Sequence, residues 1–213
     1  MWESNGIRGE GEAPPHVAGN YKGLLILMGG AACIWDDLQE LAALFGKAYG
    51  RLWEEGMILA DYMAVNDIGA YWQGTLRHWL TLHPEYMPGW KTFRANHNFG
   101  LGWGVEIHGN KFAPAIDHVW SIANSGGSGG LYACLVGLAL GYNRVVLVGM
   151  PIDDSRHFFD APWYSGVPLG GSTQGDVWMQ AKDRQFKGRV RSMSGRTRLW
   201  LGAPTKEWME EKT

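Results

Sequence analysis

The sequence predicts an α/β fold, in which one Rossmann-like, doubly wound and mostly parallel sheet carries helices on both faces. Short apolar runs, typical of buried parallel strands, alternate along the chain with segments of helical periodicity. Polar or glycine-rich residues follow several of these runs, where the strands of such a sheet end over a ligand crevice. The 213 residues suit a single domain, which we assign to 21–213 behind a loosely held N-terminal arm of 1–20.

Composition narrows the class of protein. The net charge is −2, with both signs interspersed, which gives no sign of a bulk nucleic-acid surface. No apolar run reaches the roughly 18 residues that span a bilayer, and the first residues lack a signal-peptide core. We therefore expect a cytoplasmic protein without a membrane partner, in which Cys33 and Cys134 are buried free thiols. The 12 tryptophans and the modest charge leave room for a homo-oligomer.

The first strand and helix resemble half of a nucleotide-binding unit. Gly23–Met28 is a continuous apolar run that predicts the first central strand. The small residues of Gly29–Cys33 follow it, and Asp36 or Asp37 then opens a helix. The glycine spacing does not match the dinucleotide fingerprint. Tyr49–Gly56 continues or repeats the helical pattern.

Two further predicted strands end in polar residues. Leu59–Val65 is followed by Asn66 and Asp67, which either point into the ligand crevice or form an Asx turn. Leu76–Leu82 is followed by His83, which is a structural hydrogen-bonder or a ligand contact.

The next segments are a helix from Glu85 to Phe93, a long loop or hairpin from Asn96 to Lys111, and a strand from His118 to Ala123. The histidines here, His97, His108 and His118, show no metal-ligand spacing, so no metal site is predicted.

The stretch from Asn124 to Asp154 is the one around which the chain is organised. Five of the six residues in Gly126–Leu131 are Gly or Ser, so backbone N–H groups can converge there on an anion. Ser128 caps the helix that follows, and Gly141 ends it in a left-handed conformation. Arg144–Gly149 predicts a central strand. The alternative for the loop is an ordinary surface turn; we favour a ligand loop because it lies between a strand and a helix.

The carboxyl-terminal part is less periodic. Ser155–Gly175 is aromatic and glycine-rich, which indicates a substrate-facing loop or irregular packing. Asp176–Phe186 predicts a helix, Thr197–Leu201 a strand, and Thr205 the cap of a short final helix.

Three blocks together resemble one family. They are Gly29–Cys33, the strand end Val65-Asn66-Asp67, and Ser128–Asp153, which runs Ser-Gly-Gly-Leu-Tyr-Ala-Cys through Leu-Gly-Tyr to Val-Gly-Met-Pro-Ile-Asp. They resemble the bacterial sialyltransferases of glycosyltransferase family 42 and related glycosyltransferase-like domains of flagellin-modification proteins. The resemblance covers about 100 residues in scattered blocks. The compact form also resembles versions of this fold found in phage genomes.

The resemblance implies a Rossmann-like domain that binds a nucleotide sugar of the CMP type at the carboxyl edge of the sheet, with no further cofactor. By position, Gly29 and Gly30 would face the nucleotide, and Asn66 would contact it. The predicted nucleotide-binding set is Gly29, Gly30, Asn66, Asp67, Ser125, Ser128, Gly129 and Gly130, with Arg156 helping to hold the phosphate.

The chain departs from the family where catalysis is concerned. The first loop reads Gly-Gly-Ala-Ala-Cys instead of Gly-Asn-Gly-Pro-Ser, and Gly129 stands where the family has Ser. The family's catalytic histidine lies well after the Gly-Ile-Asp block, and the only histidine beyond that block here, His157, follows it closely. In glycosyl transfer a base must reach the acceptor hydroxyl. The candidates are His83 and His157, with Asp153 as the alternative.

The leading hypothesis is therefore a glycosyltransferase-like enzyme. A second is a non-catalytic protein that senses or sequesters a nucleotide, since the catalytic pattern is degraded and fold does not determine function. A third is a hydrolase of an N-glycosidic bond, with Asp153, Asp154 or Glu85 as its carboxylate. A nicotinamide oxidoreductase is disfavoured, because Tyr132 occupies the fingerprint's third small position.

Overall fold

A computed structural model describes residues 21–46, 60–99, 104–122, 125–153, 155–160 and 171–211 of the chain, and for 171–173 only the backbone. The predicted N-terminal arm and the predicted helix Tyr49–Gly56 lie outside these residues, as does Asp154.

The described residues form one seven-stranded sheet, in which every pair of neighbouring strands is parallel. Its strands are β1 (Leu24–Met28), β2 (Ala60–Val65), β3 (His78–Thr81), β4 (Glu106–Gly109), β5 (His118–Val119), β6 (Arg144–Val148) and β7 (Val190–Ser192). The spatial order is β5-β4-β3-β2-β1-β6-β7. The predicted α/β class with a doubly wound, parallel sheet is confirmed.

The sheet has a topological switch point between β1 and β6. From β1 the chain adds strands outward to β5, and then returns through a helix to place β6 on the other side of β1. In such sheets the crevice outside the carboxyl ends of the two strands at the switch point is the usual place for a ligand. The turns after β1 and β6 are therefore the first place to look for a site.

Helices cover both faces of the sheet. They are α1 (Ile34–Leu44), α2 (Ile68–Tyr71), α3 (Met87–Asn96), α4 (Gly129–Leu140), α5 (Gly171–Ala181), α6 (Gly195–Leu201) and α7 (Lys206–Glu210). Alternate residues of β1 point to opposite faces: Ile26 packs in the core that includes α1, and Leu25 and Leu27 pack in the core that includes α4. The two hydrophobic cores explain why the apolar runs of the central strands are continuous.

Several predicted element boundaries agree with the structure. Ser128 caps α4 by accepting a hydrogen bond from the Leu131 amide at 3.3 Å, and Gly141 ends the helix at φ 111°. Thr205 caps α7 by accepting from the Trp208 amide. The segment predicted to be helical from Glu85 begins with a 3₁₀ turn, Pro84–Tyr86, before α3.

Two predictions of local structure are wrong. The predicted loop or hairpin Asn96–Lys111 contains β4, which pairs in parallel with β3 and β5. It escaped detection because Glu106 and His108, on one face, are polar although His108 is fully buried. The predicted strand Thr197–Leu201 belongs to α6, and the strand of this region is β7. The Thr197 hydroxyl is used in the interior, where it donates to the Met150 carbonyl at 2.7 Å.

Two further observations concern composition. Both cysteines are free thiols, as expected; Cys134 is buried, whereas Cys33 is only partly so. Burial raises the pKa of the Cys33 thiol to about 11. Within the described parts of the chain, no helix has both the length and the apolar character needed to cross a membrane.

Candidate functional site

A pocket lies at the carboxyl ends of β1, β2 and β6, beside the switch point. Its wall consists of the turns after these strands, the first turn of α4 and one face of α5. The sequence-predicted residues that line it are Gly29, Gly30, Asn66, Asp67, His83, Ser128, Gly129, Gly130 and His157. The structure thus brings together residues from five separate parts of the chain.

The turns after β1 and β6 pack directly against each other at the base of this pocket. A Cβ atom on Gly29 would lie 2.4 Å from the carbonyl oxygen of Gly149, so no side chain fits between the two turns. Gly149 has φ 64°, and its amide donates a 2.7 Å hydrogen bond to the buried Asp37 carboxylate. The Ser194 hydroxyl donates to the same carboxylate oxygen, also at 2.7 Å. Asp37, from α1, therefore holds the turn after β6 in place.

Asn66 is held rigidly at the end of β2. It has φ 58°, in the left-handed region that asparagine tolerates better than most residues. Its side-chain oxygen accepts from the Thr81 hydroxyl of β3 at 3.0 Å, and its carbonyl accepts from Trp79 Nε1 at 2.6 Å. The side-chain nitrogen faces the first turn of α4, 3.1 Å from where a Gly129 Cβ would be. Among the described residues, its side-chain oxygen bonds the neighbouring strand instead of closing an Asx turn, and its side-chain nitrogen has no acceptor, so Asn66 offers a donor to the pocket.

The first turn of α4 presents its backbone to the pocket. Gly126 and Gly127 have φ 57° and 75°, which lets the loop turn sharply into Ser128, and Ser128 is buried. The first i→i−4 bond of the helix is from Tyr132 N to Ser128 O, so the amides of Gly129 and Gly130 have no acceptor within the helix. Free amides at the positive end of a 12-residue helix bind anions.

α5 forms another part of the pocket wall, which the sequence analysis did not include in the site. Gln174 and Trp178 lie four residues apart on one helix face, and both line the pocket. Val177 packs close to Gly126, 3.1 Å from where its Cβ would be, so α5 also supports the glycine loop. The helix was predicted to begin at Asp176, which left Gln174 outside it. A helix extended to Gly171 would have shown the i, i+4 pair.

His157 is placed in the pocket by a short backbone pairing. Phe158 N donates to Gly30 O at 2.9 Å, Ala32 N donates to Arg156 O at 3.1 Å, and Ala31 and His157 form an antiparallel bridge. The His157 ring lies over Gly30, with Cδ2 2.9 Å from where a Cβ would be. The segment after β6 is thereby fastened to the turn after β1.

Two carboxylates flank His157. Asp160 Oδ2 accepts from the His157 amide at 2.9 Å and lies 3.5 Å from the ring Nδ1. The second carboxylate is that of Asp67: burial raises its pKa, the charge of nearby His157 opposes this rise, and the charge of Asp160 adds to it. Asp160 was not among the predicted site residues, because a turn aspartate three residues from a histidine has no distinctive spacing.

His83 lines the pocket from the end of β3 and is more open to solvent. Its side chain is 55% exposed, and Nδ1 lies 3.4 Å from Glu85 Oε1. Glu85 is also paired with Lys111 at 3.1 Å, and this exposed carboxyl has its pKa lowered by its own backbone amide and by Lys111.

Three predicted site residues do not line the pocket. The Asp153 carboxylate accepts from the amide and the hydroxyl of Ser155, which makes it the cap of a local turn. Ser125 contributes its carbonyl to the Ser128 amide, and Arg156 its carbonyl to Ala32. Asp153 and Glu85, two of the three carboxylates named for the hydrolase hypothesis, do not line this pocket.

A separate cluster, His78, Glu106 and His108, is the one group among the described residues whose atoms lie close enough to hold a metal ion. Its hydrogen bonds argue against that use. Trp120 Nε1 can only donate, and it donates to His108 Nδ1 at 2.9 Å, so the proton of the neutral ring is on Nε2. That proton points to His78 Nδ1 at 3.0 Å, which leaves His78 to donate from Nε2 to Tyr142 Oη at 2.8 Å.

The chain of donors ends at Asp61, to which the Tyr142 hydroxyl donates at 2.5 Å. Burial lowers the pKa of His78 to about 3 and that of His108 well below its ordinary value, so both rings are neutral. Each ring nitrogen of this pair is therefore engaged as a donor or an acceptor, and neither ring offers a free lone pair to a metal.

Neither a protein-family model nor a curated protein matches the chain. Solved structures share its fold. The chain is similar to the sialyltransferase CstII from Campylobacter jejuni in complex with cytidine-5'-monophosphate, described there as a substrate analogue. The TM-score is 0.53, with 12% identity over 90% of this chain and 88% of that one.

It is also similar to the monofunctional alpha-2,3-sialyltransferase Cst-I from Campylobacter jejuni, with a TM-score of 0.54 and 13% identity over 97% of this chain and 86% of that one. A third match is the sialyltransferase CST-II in complex with a trisaccharide acceptor and CMP, with a TM-score of 0.54 and 13% identity over 89% of each chain. At these identities the similarity shows a common fold, and the sequence resemblance to bacterial sialyltransferases is confirmed at that level.

Proposed function

We propose that the chain binds a nucleotide-activated sugar in the pocket at the switch point and transfers the sugar to an acceptor hydroxyl. The observation that carries the proposal is the convergence of free α4 amides, the free amide group of Asn66 and a histidine in one pocket. That convergence occurs in a fold shared with sialyltransferases whose structures contain CMP.

The charges in the pocket favour a donor with one phosphate. None of the described residues that line it is Lys or Arg, and Asp67 is among them. A sugar joined to a nucleoside monophosphate carries one negative charge at its phosphodiester, whereas a diphosphate carries two, which neutral donors offset less well. The helix terminus supplies the partial positive charge for the single anion. A CMP-type donor fits these conditions.

In the transfer step, the acceptor oxygen forms a bond to the anomeric carbon as the bond from that carbon to the phosphate oxygen breaks. The nucleoside monophosphate leaves with the electron pair of the broken bond. The α4 amides are placed to stabilise the charge that develops on the phosphate. The acceptor proton must go to a base within hydrogen-bond reach.

His157 is the candidate base. Asp160 faces its Nδ1, which favours the tautomer protonated there and leaves the lone pair of Nε2 for the acceptor proton. His83 is the second candidate; its carboxylate partner Glu85 is 47% exposed, against 14% for Asp160, and its ring is also more exposed than that of His157. Comparing the turnover of His157→Ala with that of His83→Ala shows which of the two histidines acts as the base.

The first experiment measures binding of nucleotides and nucleotide sugars by thermal shift. A ligand at 100 times its dissociation constant should raise stability by about 2.7 kcal/mol. We expect CMP or a CMP-sugar to bind the wild-type protein and to bind the Asn66→Ala variant much more weakly. A matched control is Asn98→Ala, which also replaces an asparagine of positive φ but lies outside the pocket.

The second experiment measures transfer and hydrolysis of the bound sugar nucleotide. We expect His157→Ala to lose about 10²-fold or more of turnover while still binding nucleotide, with the exposed His97→Ala as control. Full turnover in both His157→Ala and His83→Ala would overturn the base assignment. Tight binding without any turnover would instead support a protein that senses or sequesters the nucleotide.

A further inference from the structure

Trp178 contains an unsatisfied donor at the pocket wall. The residue is fully buried and lines the pocket, yet its Nε1 has no hydrogen-bond partner among the residues that the structure describes. Leaving a buried donor unpaired costs about 1–3 kcal/mol, so a persistent case calls for an explanation. The indole N–H can donate and cannot accept, so its missing partner must be an acceptor.

The position of the ring indicates where that acceptor lies. Trp178 Cζ2 and Cη2 are 3.5 and 3.8 Å from where a Cβ of Gly130 would be, so the six-membered ring borders the first turn of α4 through its Cζ2 side, the side next to the carbon that bears Nε1. The free amides of Gly129 and Gly130 are on the same turn. Gln174, one turn earlier on the same face of α5, lines the same pocket. Hydrogen-bond donors from α4 and from α5 therefore border the same region of the pocket.

We propose that Trp178 Nε1–H donates to a phosphate oxygen of a ligand seated on the N-terminus of α4, so that α5 helps to recognise the phosphate. This rests on the proposed function only in taking the ligand to be a nucleotide. A neutral donor suits this place, because it adds a directed bond to the anion without the cost of burying a second charge. In a pocket wall without Lys or Arg among its described residues, one such bond is a large share of the phosphate recognition.

The test is Trp178→Phe, which removes the N–H and keeps an aromatic ring. Binding of CMP and of cytidine is measured by calorimetry. We expect CMP to bind about tenfold more weakly or worse, and cytidine to change by less than about twofold. The matched control is Trp208→Phe, outside the pocket, where the N–H already donates to Gly188 O at 2.9 Å. That variant should lose stability and keep its affinity for both ligands.

Two outcomes of the binding test overturn the proposal. Unchanged CMP affinity in Trp178→Phe would show that the N–H does not contact the ligand. An equal loss for CMP and cytidine would show a contact with the nucleoside instead of the phosphate.

A second measurement keeps the proposal testable if the wild-type protein binds no CMP, in which case the proposed nucleotide function fails by itself. The Trp178 indole N–H signal is followed by NMR during titration with inorganic phosphate. It is assigned by its loss in Trp178→Phe or, if that variant does not fold, by its proximity to Gly130 protons. A downfield movement of this signal supports the phosphate contact, and no movement overturns it.

Discussion

Polar side chains in two regions of this sheet are used differently. On the neighbouring strands β3 and β4, His78 and His108 are bonded within a continuous chain from Trp120 to Asp61. At the carboxyl ends of β1, β2 and β6, the α4 amides and the Asn66 amide group border a pocket whose wall also contains Trp178, and these donors have no acceptor among the described residues. We call these regions the histidine chain and the pocket.

The difference separates structural polar groups from functional ones. Both regions contain buried polar atoms, and His108 is more deeply buried than His157. In the histidine chain each ring nitrogen has a partner from the protein, so the cost of its burial is offset inside the fold. In the pocket, the Trp178 N–H has no such partner among the described residues, and the proposed ligand would supply one. The presence of internal partners, more than burial, indicates which histidines are available for chemistry.

The largest expected effect comes from breaking the histidine chain. His78→Ala removes the acceptor of His108 and leaves a cavity, which should lower the free energy of unfolding by about 3 kcal/mol or more. Urea unfolding measures it, with the exposed His97→Ala as control. Nucleotide affinity should be unchanged in the folded variant. A loss below about 1 kcal/mol would mean that the chain of hydrogen bonds contributes little.

Acid should weaken the same region without any mutation. The folded pKa of His78 is about 3, below its ordinary 6.5, so the unfolded chain binds a proton at higher pH than the native protein. Its stabilising contribution is complete above about pH 6.5 and is lost as the pH falls toward 3, by at most about 1.4 kcal/mol per pH unit.

His108, whose pKa is also lowered, acts in the same direction. Unfolding free energies between pH 4 and pH 8 measure this slope. A curve that stays flat below pH 6.5 would contradict neutral buried rings.

Substitutions of Asn66 test the role of the pocket in this comparison. Asn66→Gly keeps a residue that tolerates φ 58° but removes the side chain, so we expect weaker nucleotide binding with a small change in stability. Asn66→Ala should lose the same binding and about 1 kcal/mol more stability, because alanine disfavours that conformation. Thermal unfolding with and without ligand separates the two effects. Equal affinity of Asn66→Gly and wild type would remove Asn66 from the site.

The smallest expected effect is that of the α4 cap. Ser128→Ala removes the acceptor of the Leu131 amide and should cost about 1 kcal/mol of stability. Ser128→Asp, which can also cap the helix, should restore that stability while placing a negative charge beside the anion site. If Ser128→Asp is as stable as the wild type but binds nucleotide poorly, the first turn of α4 both caps the helix and contributes to the anion site. Unchanged binding in Ser128→Asp would place the phosphate elsewhere.

Much of the fold was predictable because its signals are local. The runs Leu24–Met28 and Val145–Val148 are apolar without alternation, as strands covered on both faces must be. Ser128 and Gly141 mark the ends of α4 through the chemistry of single residues. β4 was missed because its residues Glu106 and His108 look solvent-exposed until their partners on β3 and β5 are known.

Part of the candidate site was also predictable from the sequence. Residues that directly follow predicted strands, such as Gly30, Asn66 and His83, do line the pocket, since parallel strands end at one edge. Asp153 also follows a strand, but its carboxylate turns back to Ser155, and no sequence pattern shows that.

The sequence by itself determined that the chain forms a parallel α/β sheet with a glycine loop at a helix N-terminus, because periodicity and capping act over a few residues. Only the tertiary structure decided which histidines are internally bonded, and that Trp178 and Asp160 belong beside the pocket. Those facts depend on contacts such as His78 with His108 and Gly130 with Trp178, between residues 30 and 48 positions apart in the chain. Such pairs are brought together by the order of the strands and the packing of α5, which no local pattern encodes.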